Sequence, residues 1–170
     1  MDKFVLWIVL GTVVLLGGLV WVSSQDPTKQ PPVGQEIEIL GREHIPRGSE
    51  HPAYNSNPPT SGWHDAEDAA EKIYDEPILD EQAIHSLEHG RVWVTYRPES
   101  VDEATRGEFE SVIRPFLSKA LLSPRPANDH AIAAVSWGRI QTWETWNDQT
   151  KTELKLFLER NRDRGPERVP

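Results

Sequence analysis

The sequence predicts an α+β fold, with one N-terminal transmembrane helix followed by a small, mainly antiparallel sheet that has helices packed on one face. An uninterrupted apolar stretch near the N-terminus indicates the first helix. Further along, strand-like alternation and helix-like periodicity occur without a regular β-α-β order, which is typical of the α+β class. We expect an anchor at residues 1–25, a linker at 26–35, a globular domain at 36–162 and a tail at 163–170.

The predicted anchor is residues 4–22, a run of 19 residues without a charge or a proline. As a helix it would rise about 28 Å, enough to span a hydrocarbon core. Trp7 and Trp21 lie near its ends, where indole rings prefer the membrane interface. A cleaved signal peptide is the alternative, but the apolar run exceeds the usual length of about 7–15 residues and no A-x-A site follows. We therefore expect a single-pass protein of the cell membrane, with the C-terminal domain outside the cytoplasm.

The net charge of −9 excludes one class of partner. Nucleic acid is not expected, since no basic stripe is available to neutralise phosphates. Residues 65–88 alone carry nine carboxylates against the single Lys72. This stretch is either a solvated face or a local negative field that concentrates cations. Without cysteine, the domain has neither a disulfide nor a thiolate for a metal.

The first elements of the globular domain are short. Residues 36–40 alternate as a strand does, and residues 41–63 are rich in Pro, Gly, Ser and Asn, which predicts an ordered loop. Asp80 is the predicted N-cap of a short helix that runs to His89. Gly90 is the predicted left-handed end of that helix.

A strand at residues 91–97 comes next. Asp102 then opens a predicted helix, which Pro115 should kink or shift. The apolar face of this helix is predicted to consist of Phe109, Val112, Ile113, Phe116, Leu117, Ala120 and Leu121. Residues 131–137 and 140–143 predict two strands joined by a tight turn. A terminal helix follows, with a buried face formed by Leu154, Phe157 and Leu158.

Five of the six histidines lie between His44 and His89, a concentration that core packing does not require. His85 and His89 are spaced i, i+4. On a helix their Cβ atoms would lie about 6 Å apart and could share one metal ion, whereas on a strand they would lie about 13 Å apart. Joint ligation therefore depends on a helical turn here. The alternative is that one or both histidines cap the helix end or pack under the loop.

If the proline-rich loop folds over this turn, three to five ring nitrogens converge. Without a thiolate, such a site suits one copper or zinc ion, with Cu(II) bound most strongly at equal availability. The stiff sequence before His64 should hold that ring in a fixed direction. His130 lies apart and is expected to be structural. The predicted metal ligands are His64, His85, His89, His51 and His44. The residues expected to support them by hydrogen bonding are Glu88, Tyr54 and Tyr96.

Two motifs resemble a known family. Tyr54 with the sequence PPTSGWH that ends at His64, and HSLEHG from His85 followed by Tyr96, are similar to the family called domain of unknown function 3105. The resemblance covers residues 36–160 and implies a small, mostly bacterial protein with one N-terminal membrane segment. It implies no activity. This chain has Trp63 where family members often have proline.

Three functions remain open at this point. The first is a membrane-anchored, extracytoplasmic metal-binding domain that serves as a carrier, sensor or accessory factor. The second is a zinc hydrolase, because H-x-x-E-H is also the inverzincin motif, with Glu88 as general base. Gly90 and a strand follow at once and the domain is small, so we do not expect an enzyme. The third is an interaction domain whose histidines only brace a rigid loop. The sequence does not identify a protein partner.

Overall fold

The computed structural model describes residues 2–24 and 26–167 of the chain. Helix α1, Lys3–Ser24, is long and apolar enough to cross a membrane, and none of its residues is buried. The predicted anchor therefore contains a candidate membrane span. Residues 1 and 25 of that anchor, and residues 168–170 of the predicted tail, lie outside the described part of the chain.

Seven strands follow in the described part of the chain. They are β1 (Gln35–Glu36), β2 (His44–Ile45), β3 (His64–Asp65), β4 (Val92–Tyr96), β5 (Ala120–Pro124), β6 (Ile132–Ser136) and β7 (Arg139–Trp143). Five of them form one sheet in the order β1-β7-β6-β4-β5, and β2 pairs with β3 separately. In the large sheet only β4 and β5 are parallel. The predicted α+β class with a mainly antiparallel sheet is confirmed.

Three helices cover the large sheet: α2 (Asp80–Glu88), α3 (Glu103–Ile113) and α4 (Asp148–Asn161). Both α3 and α4 pack on the face that carries Val92 and Val94. Helix α2 packs on the opposite face, against Trp93. The prediction of helices on one face therefore describes only α3 and α4. Successive residues of β4 point to opposite faces, and all five are buried because both faces are covered.

The predicted long helix after Asp102 divides into two elements. Its start is confirmed, because the Asp102 side chain accepts a hydrogen bond of 2.8 Å from the Thr105 amide. The α-helix ends at Ile113, since Pro115 has no amide hydrogen and a short 3-10 turn follows. Ala120 and Leu121, predicted to be helical, instead begin β5. Helix α3 is thus the crossover that two adjacent parallel strands require.

The predicted strand at residues 36–40 is shorter than expected and is limited to β1 and one further hydrogen bond, from the Ile37 amide to the Gly138 carbonyl. The predicted cap of α2 is also corrected. Leu79 is the N-cap, and the Asp80 carboxylate accepts two hydrogen bonds from Arg125 at 2.8 and 2.6 Å. At the other end, Gly90 has a φ of +80°. This φ confirms the left-handed end of the helix.

Candidate metal centre

The last turn of α2 brings two donor side chains to one buried place. His85 and Glu88 are spaced i, i+3, which places them on one side of a helix. Only 7% of His85 and 1% of Glu88 are exposed. This turn of α2 is therefore buried. The loop that precedes α2 in the chain provides this cover.

Two further histidines reach this turn from the short parallel pair of β2 and β3. His44 and His64 are opposite each other in the register, and their ring centroids lie 4.6 Å apart. The His44 and His64 rings lie 4.9 and 5.2 Å from the His85 ring. A strand of two residues shows no recognisable pattern in the sequence. The pairing of β2 with β3 is nevertheless what places His44 beside α2.

One candidate ligand atom from each of His44, His85 and Glu88 lies within 4.8 Å of the other two. Ligands bound tetrahedrally at 2.0–2.1 Å from a zinc ion are about 3.3 Å apart. To share one such ion, the three atoms would have to approach one another by up to about 1.5 Å. The His44 side chain is 48% exposed, so the cluster opens to solvent on that side.

His64 contacts this set through Glu88. Its Nδ1 donates a hydrogen bond of 2.7 Å to the Gly62 carbonyl, and its Nε2 lies 3.0 Å from Oε2 of Glu88. This contact holds the Glu88 carboxylate beside the buried His64 ring. His64 thereby orients the Glu88 carboxylate. Tyr54 supports the loop from outside, because its hydroxyl donates to the Trp63 carbonyl at 2.7 Å.

The electrostatic surroundings of the cluster are mixed. Burial is the main cause that lowers the pKa of His85, and the neighbouring His89, His64 and His44 lower it further. A lowered pKa favours the neutral imidazole, which is the form that binds metals. Nδ1 of His85 is buried and has no hydrogen-bond partner in the described part of the chain. Such orphaned ring nitrogens are uncommon in folded proteins. Arg42 contributes a positive charge, with Nε 3.8 Å from Oε1 of Glu88.

His89 lies beside the cluster, and its ring centroid is 4.4 Å from that of His85. Its nitrogens lie near two acidic side chains, although Nδ1 is buried and makes no hydrogen bond among the described residues. Nδ1 lies 3.4 Å from Oδ2 of Asp68, and Nε2 lies 3.5 Å from Oε2 of Glu167. His89 is therefore not one of the three residues whose ligand atoms converge.

The remaining predicted site residues occupy other positions. His51 donates from Nδ1 to the Pro52 carbonyl at 2.8 Å, and its Nε2 lies 3.3 Å from Oε1 of Glu81. Its ring stacks on Trp63. Tyr96 packs against Phe109 in the core on the α3 side of the sheet. Because α2 lies on the other face, the position of Tyr96 does not support its predicted role beside the ligands.

The segment predicted as a tail reaches the same helical turn. The Glu167 amide donates to the Glu88 carbonyl at 3.1 Å, and the Asp163 amide donates to the Gly90 carbonyl at 2.7 Å. A Cβ at Gly165 would lie 2.0 Å from the Glu88 carbonyl oxygen, so only glycine allows this approach. Residues 163–167 therefore cap the C-terminus of α2. Carbonyl groups at a helix end otherwise lack partners.

Fold and site together define a small α+β domain with an N-terminal apolar helix and a solvent-accessible cluster of histidines and one carboxylate. The chain belongs to the family described as Protein of unknown function (DUF3105), whose model matches residues 47–169. No curated protein and no solved structure matches the chain. The match includes His64, His85 and Glu88, whereas His44 lies just before it.

Proposed function

We propose that this protein is a membrane-anchored domain outside the cytoplasm that binds one copper or zinc ion through His44, His85 and Glu88. Two observations carry the proposal. Ligand atoms from β2 and from the last turn of α2 lie within 4.8 Å of one another, and one ring nitrogen of the buried His85 has no partner among the described residues. Neither property is needed for packing.

The donor set suits these two metals. Imidazole and carboxylate without thiolate favour Cu(II) and Zn(II) over softer ions. Three protein ligands leave a fourth position for water, for a partner's side chain or for His89, which would have to turn away from Asp68. The exposed His44 offers a route for the ion. A site that opens to solvent and keeps one position free suits a carrier or sensor better than a structural site.

Glu88 and its partners distinguish binding from hydrolysis. In an H-x-x-E-H hydrolase both histidines hold the metal, and the glutamate is free to accept a proton from water. Here the carboxylate of Glu88 faces His64 and Arg42, and the nitrogens of His89 face two acidic residues. This arrangement favours metal binding over hydrolysis, with His64 as the residue that orients a ligand.

Metal titration of the full chain in detergent tests the proposal. After treatment with a chelator, we expect about one equivalent of Zn(II) or Cu(II) to bind, as measured by mass spectrometry of the bound metal. His85→Ala should lose at least about 10-fold in affinity, whereas His130→Ala, a surface histidine outside the cluster, should match the parent. If the parent chain binds no metal, the histidines only stabilise the loop. If His85→Ala and His130→Ala bind the metal equally well, this site is refuted.

The location of the domain needs a separate test. If α1 crosses the membrane with its short leader inside, protease added to intact spheroplasts should digest the domain and leave a fragment that contains residues 4–22. Full protection until the membrane is lysed would contradict this orientation. Recovery of the intact domain without α1 in the culture medium would indicate a cleaved signal peptide.

A further inference from the structure

The two edges of the large sheet differ. At the β5 edge, residues 72–74 run alongside the strand, with hydrogen bonds from the Leu122 amide to the Lys72 carbonyl and from the Tyr74 amide to the Leu122 carbonyl. At the other edge, β1 pairs only with Arg139 and Ile140 of β7. The second half of β7 therefore has no neighbouring strand on its outer side among the described residues.

Gly34 is where the chain leaves this edge. It has a φ of +88°, and a Cβ there would lie 2.8 Å from the Ile140 carbonyl oxygen and 2.7 Å from the Phe157 ring. The preceding residues are held elsewhere, since the Val33 carbonyl accepts a hydrogen bond from Asn161 of α4 at 3.1 Å. The chain's own linker therefore leaves the line of β1 at Gly34 and does not pair with the second half of β7.

The register shows which amide and carbonyl groups of β7 have no strand partner. The Ile37 amide bonds to the Gly138 carbonyl, and Gln35 is opposite Ile140, so Ile140 directs its amide and carbonyl toward β1. In an antiparallel strand this direction alternates between successive residues. Gln141 therefore bonds toward β6, and Thr142 points its amide and carbonyl outward. Neither outward group is paired with another strand in the described part of the chain.

A cleft of about 670 Å³ lies beside Thr142. Its walls come from β7, from α4, from the segment before β1 and from a loop. The residues that line it include Val33, Ile37, Asn55, Ser56, Glu153 and Leu156. The hydroxyl oxygen of Ser56 is buried and has no hydrogen-bond partner among the described residues. The cleft thus combines an open strand edge, walls of mixed polar and apolar side chains, and an unused polar group. An open strand edge beside a groove is what β-strand addition of a peptide uses.

Charge indicates the kind of occupant. Glu153 accepts a hydrogen bond of 2.7 Å from the Trp143 indole, and this bond is the main cause of its lowered pKa. Glu144, just beyond the strand, also has a lowered pKa because of its contact with His130. Both carboxylates are ionised at neutral pH. A second copy paired edge to edge would bring the same two charges against them, whereas a basic segment would neutralise them.

We propose that the free edge of β7 binds an extended, basic segment of another protein as an added antiparallel strand. One residue of that segment would exchange two hydrogen bonds with the backbone of Thr142, and a lysine or arginine beside it would pair with Glu153. The added strand would continue the line that β1 leaves at Gly34. This binding site is separate from the histidine cluster and does not depend on a metal.

Peptide binding to the full chain in detergent tests this proposal. The probe is a fluorescein-labelled pentapeptide of alternating valine and lysine with blocked ends, and the comparison peptide has glutamate in place of lysine. We expect the basic peptide to bind saturably and to slow hydrogen exchange at the Thr142 amide. The acidic peptide should bind at least about 10-fold more weakly. Equal binding of both peptides, or no added protection at Thr142, would overturn the proposal.

Variants test whether the peptide binds through hydrogen bonds to the backbone of β7 or through charge attraction alone. Thr142→Pro removes the outward amide, which an edge position tolerates, and should abolish binding. If that variant does not fold, a peptide methylated on alternate backbone nitrogens tests the same hydrogen bonds on the unchanged protein and should not bind. Glu153→Gln should weaken the basic peptide about 3–10-fold, whereas Glu159→Gln, further along α4 and outside the cleft, should not. If the Thr142 amide is protected from hydrogen exchange without peptide, because the protein self-associates, the edge binds a second copy. That result would refute a basic partner.

Discussion

Gly165→Ala tests whether the C-terminal segment holds the last turn of α2. An alanine Cβ at this position would lie 2.0 Å from the Glu88 carbonyl oxygen and 2.3 Å from the Gly90 amide nitrogen. Both neighbours are backbone atoms, which cannot rotate aside as the end of a side chain can. The segment must therefore move outward by about 1.5 Å to reach van der Waals distance.

This movement breaks two backbone hydrogen bonds, from the Asp163 amide to the Gly90 carbonyl and from the Glu167 amide to the Glu88 carbonyl. Each such bond contributes about 0.5–1.5 kcal/mol net, so we expect the free energy of unfolding to fall by about 1–3 kcal/mol. Metal affinity should fall as well, because His85 and Glu88 lie on the turn that loses its support.

Urea denaturation of the detergent-solubilised chain, followed by near-ultraviolet circular dichroism, measures the stability change. Gly107→Ala is the matched control, since Gly107 is exposed in α3 and a Cβ there meets nothing within 4 Å. That variant should be as stable as the parent or more stable by about 0.5–1 kcal/mol. A Gly165→Ala variant as stable as the parent would refute the docking of residues 163–167.

Three further predictions concern the cluster and the core. Glu88→Gln should weaken metal binding by about 10–100-fold in competition with a chromogenic chelator, and unchanged affinity would remove Glu88 from the site. Arg42→Gln should strengthen metal binding by up to about 5-fold, since an exposed guanidinium 3.8 Å from Glu88 competes weakly with the ion, and weaker binding would contradict this competition. Phe109→Ala should cost about 3–5 kcal/mol in denaturant unfolding and Phe116→Ala less, because only Phe109 is fully buried; equal costs would contradict this packing.

Local patterns predicted much of the fold. The apolar run of α1, the capping residue Asp102 and the left-handed Gly90 each act within a few residues, so the sequence shows them directly. Strand β5 was not predicted, because Ala120 and Leu121 continue the helical spacing of α3. What ends that helix is Pro115, and what makes β5 a strand is its pairing with β4, a contact between distant residues.

The site could be predicted only in part for the same reason. His85 and Glu88 lie three residues apart, and their convergence follows from helix geometry alone. His44 reaches them through its register with His64, which a two-residue strand does not reveal. Arg42 carries no sequence signal of its own, because its contact with Glu88 depends on how the loop folds. Gly165 resembles any loop glycine until the backbone of Glu88 is seen beside it.

A buried arginine joins α2 to the loop that precedes His64. Arg125 is almost fully buried, bonds to both carboxylate oxygens of Asp80 and donates to the Asn57 side chain oxygen. Asp80 begins α2, and Asn57 lies in the loop before His64. The fork geometry of a guanidinium fixes direction as well as distance. Arg125 thus holds the helix that carries His85 against the loop that carries His64, so the ordering of these two elements is part of folding. An ion would then have to order little more than the exposed ring of His44, and less of its binding free energy would be lost to conformational entropy.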